Sequence, residues 1–250
     1  MSKVIMLTSS TMCSVKDVKG NYSSVKMPEK NQFLANIRDN LKARRKMLYI
    51  MANPYRYELN DNFFRIQVES FKLSGLDFEE YVLIDYRYQG NLKEDLKTTD
   101  LILLGGGDCE PQLAYFEILN LKELLNDYNG LIIGRSAGSM DMADTVYTCP
   151  EFEYQLGDRK YAKGLGFTNI MTLPHYNLYQ YYELGGRKLI DDIVMKDIGE
   201  NILYVLEDGA YILIKDGKST AYGNTYLLTS GTITKVCSDE QTYIIKTNQY

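Results

Sequence analysis

The chain has 250 residues, 45% hydrophobic and 24% charged, with a net charge of −5, four cysteines and one histidine. This length supports a sizeable α/β core, and the acidic balance argues against nucleic acid or an anionic membrane surface as the main partner. No apolar run is long enough for a bilayer span or a secretion signal, and Cys13, Cys109, Cys149 and Cys237 form no C-x-x-C pair, so the expectation is a cytoplasmic protein with reduced thiols, no structural zinc and no cofactor.

In chain order, short apolar runs alternate with helical patterns. Lys3 to Thr8 reads as the first strand, a polar loop follows to about Glu29, and Gln32 to Lys46 reads as an amphipathic helix. The basic cluster Lys42, Arg44, Arg45 and Lys46 is then a solvated helix end, where cations suit the macrodipole. Met47 to Ala52 is a second strand closed by Asn53-Pro54, Asp61 to Leu73 a helix stopped by Gly75, and Tyr81 to Ile84 a third strand. Asp100 to Leu104 is the fourth strand, Pro111 to Asn126 a helix, and Leu131 to Ile133 the next strand. The alternation implies a mostly parallel sheet with helices on both faces. After residue 200, the runs Ile202 to Val205, Ala210 to Ile214, Thr225 to Leu228 and Tyr243 to Ile245 are separated by Asp-Gly, Gly-Asn and Ser-Gly turns, which predicts antiparallel strands added at the C-terminus. No linker divides the chain, so residues 1–250 read as one domain, and the loop from Ser10 to Glu29 is long enough to be a lid.

The chemistry concentrates where Gly130-Leu131-Ile132-Ile133 runs into Gly134-Arg135-Ser136-Ala137-Gly138. G-x-S-x-G after a strand is the nucleophile-elbow pattern: a sharp strand-to-helix turn lifts the serine out of the sheet, and flanking glycines leave room for backbone approach. Ser136 is therefore the candidate nucleophile. The earlier strand ends in Gly105-Gly106-Gly107-Asp108, so one N–H after the triple glycine and one from Ala137 are positioned to converge on a carbonyl oxygen. Cys109 lies beside this loop without elbow geometry and reads as a bystander.

A histidine base for Ser136 must be His175, the only histidine, which follows Ile170-Met171 at Pro174 where a strand runs out into a loop. The orienting carboxylate has five candidates between elbow and histidine: Asp141, Asp144, Glu151, Glu153 and Asp158. Asp141 and Asp144 are placed within the helix after the elbow, pointing away, whereas Glu151 and Glu153 follow Cys149-Pro150 in a loop able to return to the site; spacing does not choose between the last two.

The ordered set Leu104-Gly105-Gly106-Gly107-Asp108, Gly134-Arg135-Ser136-Ala137-Gly138, Leu173-Pro174-His175-Tyr176-Asn177, Asp208-Gly209-Ala210 and Tyr222-Gly223-Asn224 resembles peptidase family S51, which includes aspartyl dipeptidases. The resemblance implies a class I glutamine amidotransferase-like α/β fold with a serine nucleophile and hydrolysis of a peptide bond through an acyl-enzyme. Carried over by position, Ser136 is the nucleophile, His175 the base, Gly107 and Ala137 the oxyanion donors, and Glu151 stands about where the family's acid lies. Arg187 is the nearest match to the arginine that grips an N-terminal aspartate, and Asp108 stands on the substrate side where the family usually has asparagine. The implied partner is a short peptide, with no nucleic acid and no membrane; monomer and homodimer both stay open. A non-catalytic binding module of the same fold and a small-molecule esterase are the competing readings.

Overall fold

A computed structural model describes residues 3–157, 160–229 and 231–246. The apolar runs form five parallel strands, β1 (Val4–Thr8), β2 (Lys46–Ile50), β3 (Glu80–Ile84), β4 (Thr99–Leu104) and β5 (Leu131–Arg135), in the spatial order β1-β5-β4-β2-β3. β1, β2 and β4 are buried at every position, the pattern of strands covered on both faces, and this is why their sequences are continuous rather than alternating. Successive side chains divide between two cores: Ile5, Leu7, Ile50, Ile102 and Ile132 on one face, Met6, Tyr49, Leu103, Leu131 and Ile133 on the other. Helices α1 (Phe33–Asn40) and α2 (Tyr57–Leu73) close the second face with Phe33, Leu34, Ile37 and Phe71. On the first face, α3 (Cys109–Ile118) contributes Tyr115 and Phe116.

The C-terminal strands divide between two sheets. Beyond the elbow the chain forms β6 (Met171–Leu173), β7 (Leu203–Leu206), β8 (Tyr211–Lys215), β9 (Lys218–Tyr222), β10 (Thr225–Thr229), β11 (Thr232–Cys237) and β12 (Thr242–Ile245). Strands β8, β9 and β12 extend the main sheet beyond β1, each antiparallel to the strand before it in the sheet, as expected. Strands β6, β7, β10 and β11 instead form a separate four-stranded sheet over a third core that includes Leu173, Leu203, Val205, Leu228 and Ile193. The turn between β7 and β8 carries the chain from the small sheet to the large one, and that crossing matters for the site below.

Three local expectations change. The helix expected to Lys46 ends at Asn40, and the basic cluster ties down the sheet rather than a helix end: Arg45 bridges to Asp100 at 2.6 Å, while Lys46, the first residue of β2 and only 9% exposed, reaches Asp95 at 2.5 Å and Glu80 at 3.0 Å. The helix expected over 111–126 breaks after Ile118, because Asn120 turns left-handed at φ 51° before a short turn at Leu121–Leu124. The loop from Ser10 to Glu29 contains a hairpin, Ser14–Lys16 with Tyr22–Ser24, docked on α2 by Ser24 Oγ donating to Glu69 (2.7 Å) and Ser70 Oγ donating to the Val25 carbonyl (2.6 Å). Among the described residues no helix is long and apolar enough to cross a membrane.

Candidate active site

Ser136 sits between β5 and the short helix α4 (Ala137–Met140) with φ 51° and ψ −117°, a conformation L-residues rarely adopt and one that costs about 1–3 kcal/mol. The turn is this sharp because both flanking glycines admit backbone where no side chain fits: a Cβ at Gly134 would lie 2.4 Å from the Gly138 carbonyl oxygen, and one at Gly138 would lie 2.5 Å from that of Leu104. Hydrogen bonds hold the elbow to its neighbours. Ser136 N–H donates to the Thr8 carbonyl (3.0 Å), and Gly138 N–H donates to Gly105 (3.1 Å), locking elbow and glycine loop together.

His175 lies two residues past β6, itself left-handed at φ 61°, a region that histidine tolerates better than most residues. Its Nε2 is 2.9 Å from Ser136 Oγ, and its Nδ1 is 2.7 Å from Asp208 Oδ1. With the ring proton on Nδ1, the imidazole donates to Asp208 and accepts from Ser136, the arrangement a serine needs to lose its proton. The register explains the pairing: β6 and β7 are parallel with Leu173 opposite Val205, so His175 emerges beside Glu207 and Asp208 at the turn where β7 crosses to β8. Similarly Thr8 lies opposite Arg135, which brings Ser9 to the same end of the sheet as Ser136. Ser9 then connects the parts, donating Oγ–H to Asp208 Oδ1 (2.7 Å) and accepting from His175 N–H (2.9 Å). Asp208 N–H donates to Asn177 Oδ1 at 3.0 Å. All these groups sit at carboxyl ends of parallel strands, the usual location of sites in such sheets.

Asp208 therefore replaces Glu151 as the carboxylate on His175. Burial alone would favour its neutral form, but His175, Ser9 and Asn177 outweigh that cost and hold the carboxyl below its ordinary range. Glu151 is not hydrogen-bonded to the ring, whose Nδ1 is already taken; it lies in the segment after Pro150 on the wall of the adjoining cavity. Burial and the Asp108 carboxylate push Glu151 upward, and the His175 ring opposes them, so these groups sense one another across the cavity. Glu153 belongs to a short turn, Glu153–Gln155, and Asp158 lies outside the described residues. The contacts that link Ser9, Asn177, Asp208 and the histidine are not legible by spacing, because Asp208-Gly209 carries the signature of a hairpin turn and no motif marks Ser9; the signal available was that Asp208 and Asn177 each stand in one of the ordered motifs.

The cavity is about 530 Å³ and is lined by Gly107, Asp108, Ser136, Ala137, Glu151 and Arg187 among others. The expected oxyanion, substrate and nucleophile positions thus share one space, whereas no residue of the loop 10–29 lines it. A Cβ at Gly107 would meet that of Ala52 at 2.8 Å, so glycine is required for the loop to pass there. Neither Gly107 nor Ala137 donates its N–H to another backbone carbonyl among the described residues. Among the described residues no group of three or more His, Cys, Asp or Glu is placed to hold a metal ion.

Cys109 also lines the cavity, but burial and the neighbouring Asp141 push its thiol well up, which suits a bystander rather than a nucleophile. Asp141 is not within a helix but just after α4, fully buried, and neither carboxyl oxygen has a hydrogen bond of ordinary geometry. Burial pushes Asp141 well above its ordinary value of 3.8, and the thiol beside it is too weak a donor to reverse this. A raised folded-state pKa means the folded protein binds the proton more tightly, so this group's contribution is present at acid pH and is lost as pH rises past the unfolded value. Asp141→Asn is expected to gain stability relative to wild type as denaturation is measured at rising pH through that window; a difference that shrinks or stays flat with pH would contradict this assignment.

A sequence model of the family described as peptidase family S51 matches residues 21–222. Among solved structures, the chain is similar to a peptidase from an acI-B1 Actinobacterium, at 13% identity and TM-score 0.65 with 98% of each chain covered. It is also similar to a putative peptidase E protein from Listeria monocytogenes EGD-e, at 17% identity and TM-score 0.59, covering 88% of this chain and 98% of that one. At these identities the two structures speak for the fold. No curated protein matches the chain.

Proposed function

The chain belongs to peptidase family S51, and from that premise we propose that it is a serine peptidase acting on short peptides, chiefly dipeptides with an N-terminal aspartate. The observation that carries this reading is the run of contacts from Ser136 Oγ through His175 to Asp208. Ser136 Oγ attacks the scissile carbonyl carbon while its proton passes to His175 Nε2. The Gly107 and Ala137 N–H groups receive the oxyanion, Asp208 stabilises the imidazolium, and collapse of the tetrahedral intermediate delivers the proton to the leaving amine. Water then attacks the acyl-enzyme, giving its proton to His175, and Ser136 recovers a proton as the acid product departs.

Arg187 makes no ion pair among the described residues and lines the cavity, so its guanidinium is available to grip the aspartate side chain through paired hydrogen bonds. Asp108 and Glu151, which repel each other across the cavity, are relieved by the substrate's ammonium. Hydrolysis of a dipeptide panel tests the reading: Asp-Leu is cleaved and Ala-Leu is a poor substrate. Arg187→Met is expected to raise KM for Asp-Leu about 10-fold to 100-fold, the value of a charge-assisted hydrogen bond, with kcat little changed. Cleavage of Ala-Leu and Asp-Leu at equal kcat/KM would remove the aspartate preference, and no cleavage of any dipeptide would favour the binding-module reading.

A further inference from the structure

Apart from its charged groups, the cavity presents an unusual apolar surface. Phe152 and Tyr154 both line it, and their rings stand parallel, 5.5 Å apart between centroids with planes 5° from one another. Both are exposed, Phe152 at 53% and Tyr154 at 77%, whereas the apolar side chains of the neighbouring core are shielded from water. The segment bearing them is fixed at its root: Gln155 Oε1 accepts from the Glu151 and Phe152 N–H groups at 2.7 and 3.0 Å, and Tyr182 Oη donates to the Glu151 carbonyl at 3.4 Å. Two rings stacked on an anchored turn present their outer face and edges as a pre-ordered apolar surface at little further entropic cost.

We propose that the Phe152–Tyr154 pair determines the substrate residue after the scissile bond, selecting peptides in which it is aromatic or large and apolar. The inference rests on the peptidase reading of the same site. In a dipeptide whose first residue is held by Arg187, the second side chain is the only one left to cover the open surface of the stacked pair. Covering them withdraws apolar area from water on both partners, and an aromatic side chain adds ring-to-ring attraction that a methyl group lacks.

The test is kcat/KM for Asp-Phe, Asp-Leu and Asp-Ala with wild type, Phe152→Ser/Tyr154→Ser, and Tyr154→Phe. Wild type is expected to favour Asp-Phe over Asp-Ala by about 10-fold, from the worth of burying an aromatic side chain together with a ring pair. The double serine variant is expected to erase most of that ratio, lowering kcat/KM for Asp-Phe far more than for Asp-Ala, since a methyl side chain has much less contact to lose. Tyr154→Phe, which keeps the ring, is expected to retain the ratio. Because both side chains are exposed, the substitutions leave the cores intact, which a thermal melt of each variant verifies. Hydrolysis with a ratio near one in wild type, or a ratio unaltered in the double variant, overturns this proposal alone. Absence of hydrolysis of every dipeptide overturns the peptidase reading and this proposal with it.

Discussion

Ser136→Ala is expected to lower peptide hydrolysis about 10⁴-fold to 10⁶-fold, to the residue of activity left by oxyanion donors and binding alone. The expectation follows from position as much as from chemistry. Ser136 holds a left-handed φ of 51° that places its Oγ 2.9 Å from the imidazole, and no other serine or cysteine hydroxyl or thiol has that contact among the described residues. Alanine meets the same backbone strain as serine, so the elbow keeps its shape and the loss is chemical. His175→Ala should fall to a similar level, and the double variant should fall little further, because members of such a unit do not act additively. Thermal melts alongside the rates separate lost chemistry from lost folding.

Asp208→Asn is expected to lower kcat about 10⁴-fold with KM little changed, whereas Glu151→Gln leaves kcat near wild type and acts on KM. An amide at position 208 no longer requires the ring proton on Nδ1 and supplies no charge to the imidazolium. His175, Ser9 and Asn177 hold the carboxyl of Asp208 below its ordinary value of 3.8, so the site favours its charged form, and the amide removes that charge. Glu151 shares the cavity and senses His175 through space only. A larger kcat loss in Glu151→Gln than in Asp208→Asn would return the acid to the residue that position in the chain first suggested.

That reversal shows where sequence is informative and where it is not. The parallel half of the fold was legible because strands such as Leu131 to Ile133 and Asp100 to Leu104 are buried on both faces, which writes a continuous apolar run into the chain. Ser136 and His175 were legible for local reasons: the elbow needs glycine at 134 and 138, and a single histidine leaves no choice. Asp208 was not, because its contact with His175 comes from register between β6 and β7, a long-range pairing that spacing from Ser136 does not encode. The same cause hid the second sheet. Ile202 to Val205 and Ala210 to Ile214 look like consecutive hairpin strands, yet Glu207 to Ala210 carry the chain from one sheet to the other, and that crossing is what delivers Asp208 to the histidine. Lys46 starts a buried strand although its charge suits a helix end, because Asp95 and Glu80 satisfy that charge there.

The most direct measurement is labelling with a fluorophosphonate, followed by mass spectrometry of the modified peptide. Such a reagent reacts with a serine only when a base withdraws its proton and donors receive the phosphonyl oxygen. One label on Ser136, absent from Ser136→Ala and slowed greatly in Asp208→Asn, is the expected result. A folded wild type that takes no label, or a label that persists at another residue in Ser136→Ala, would contradict a hydrolytic role for this serine.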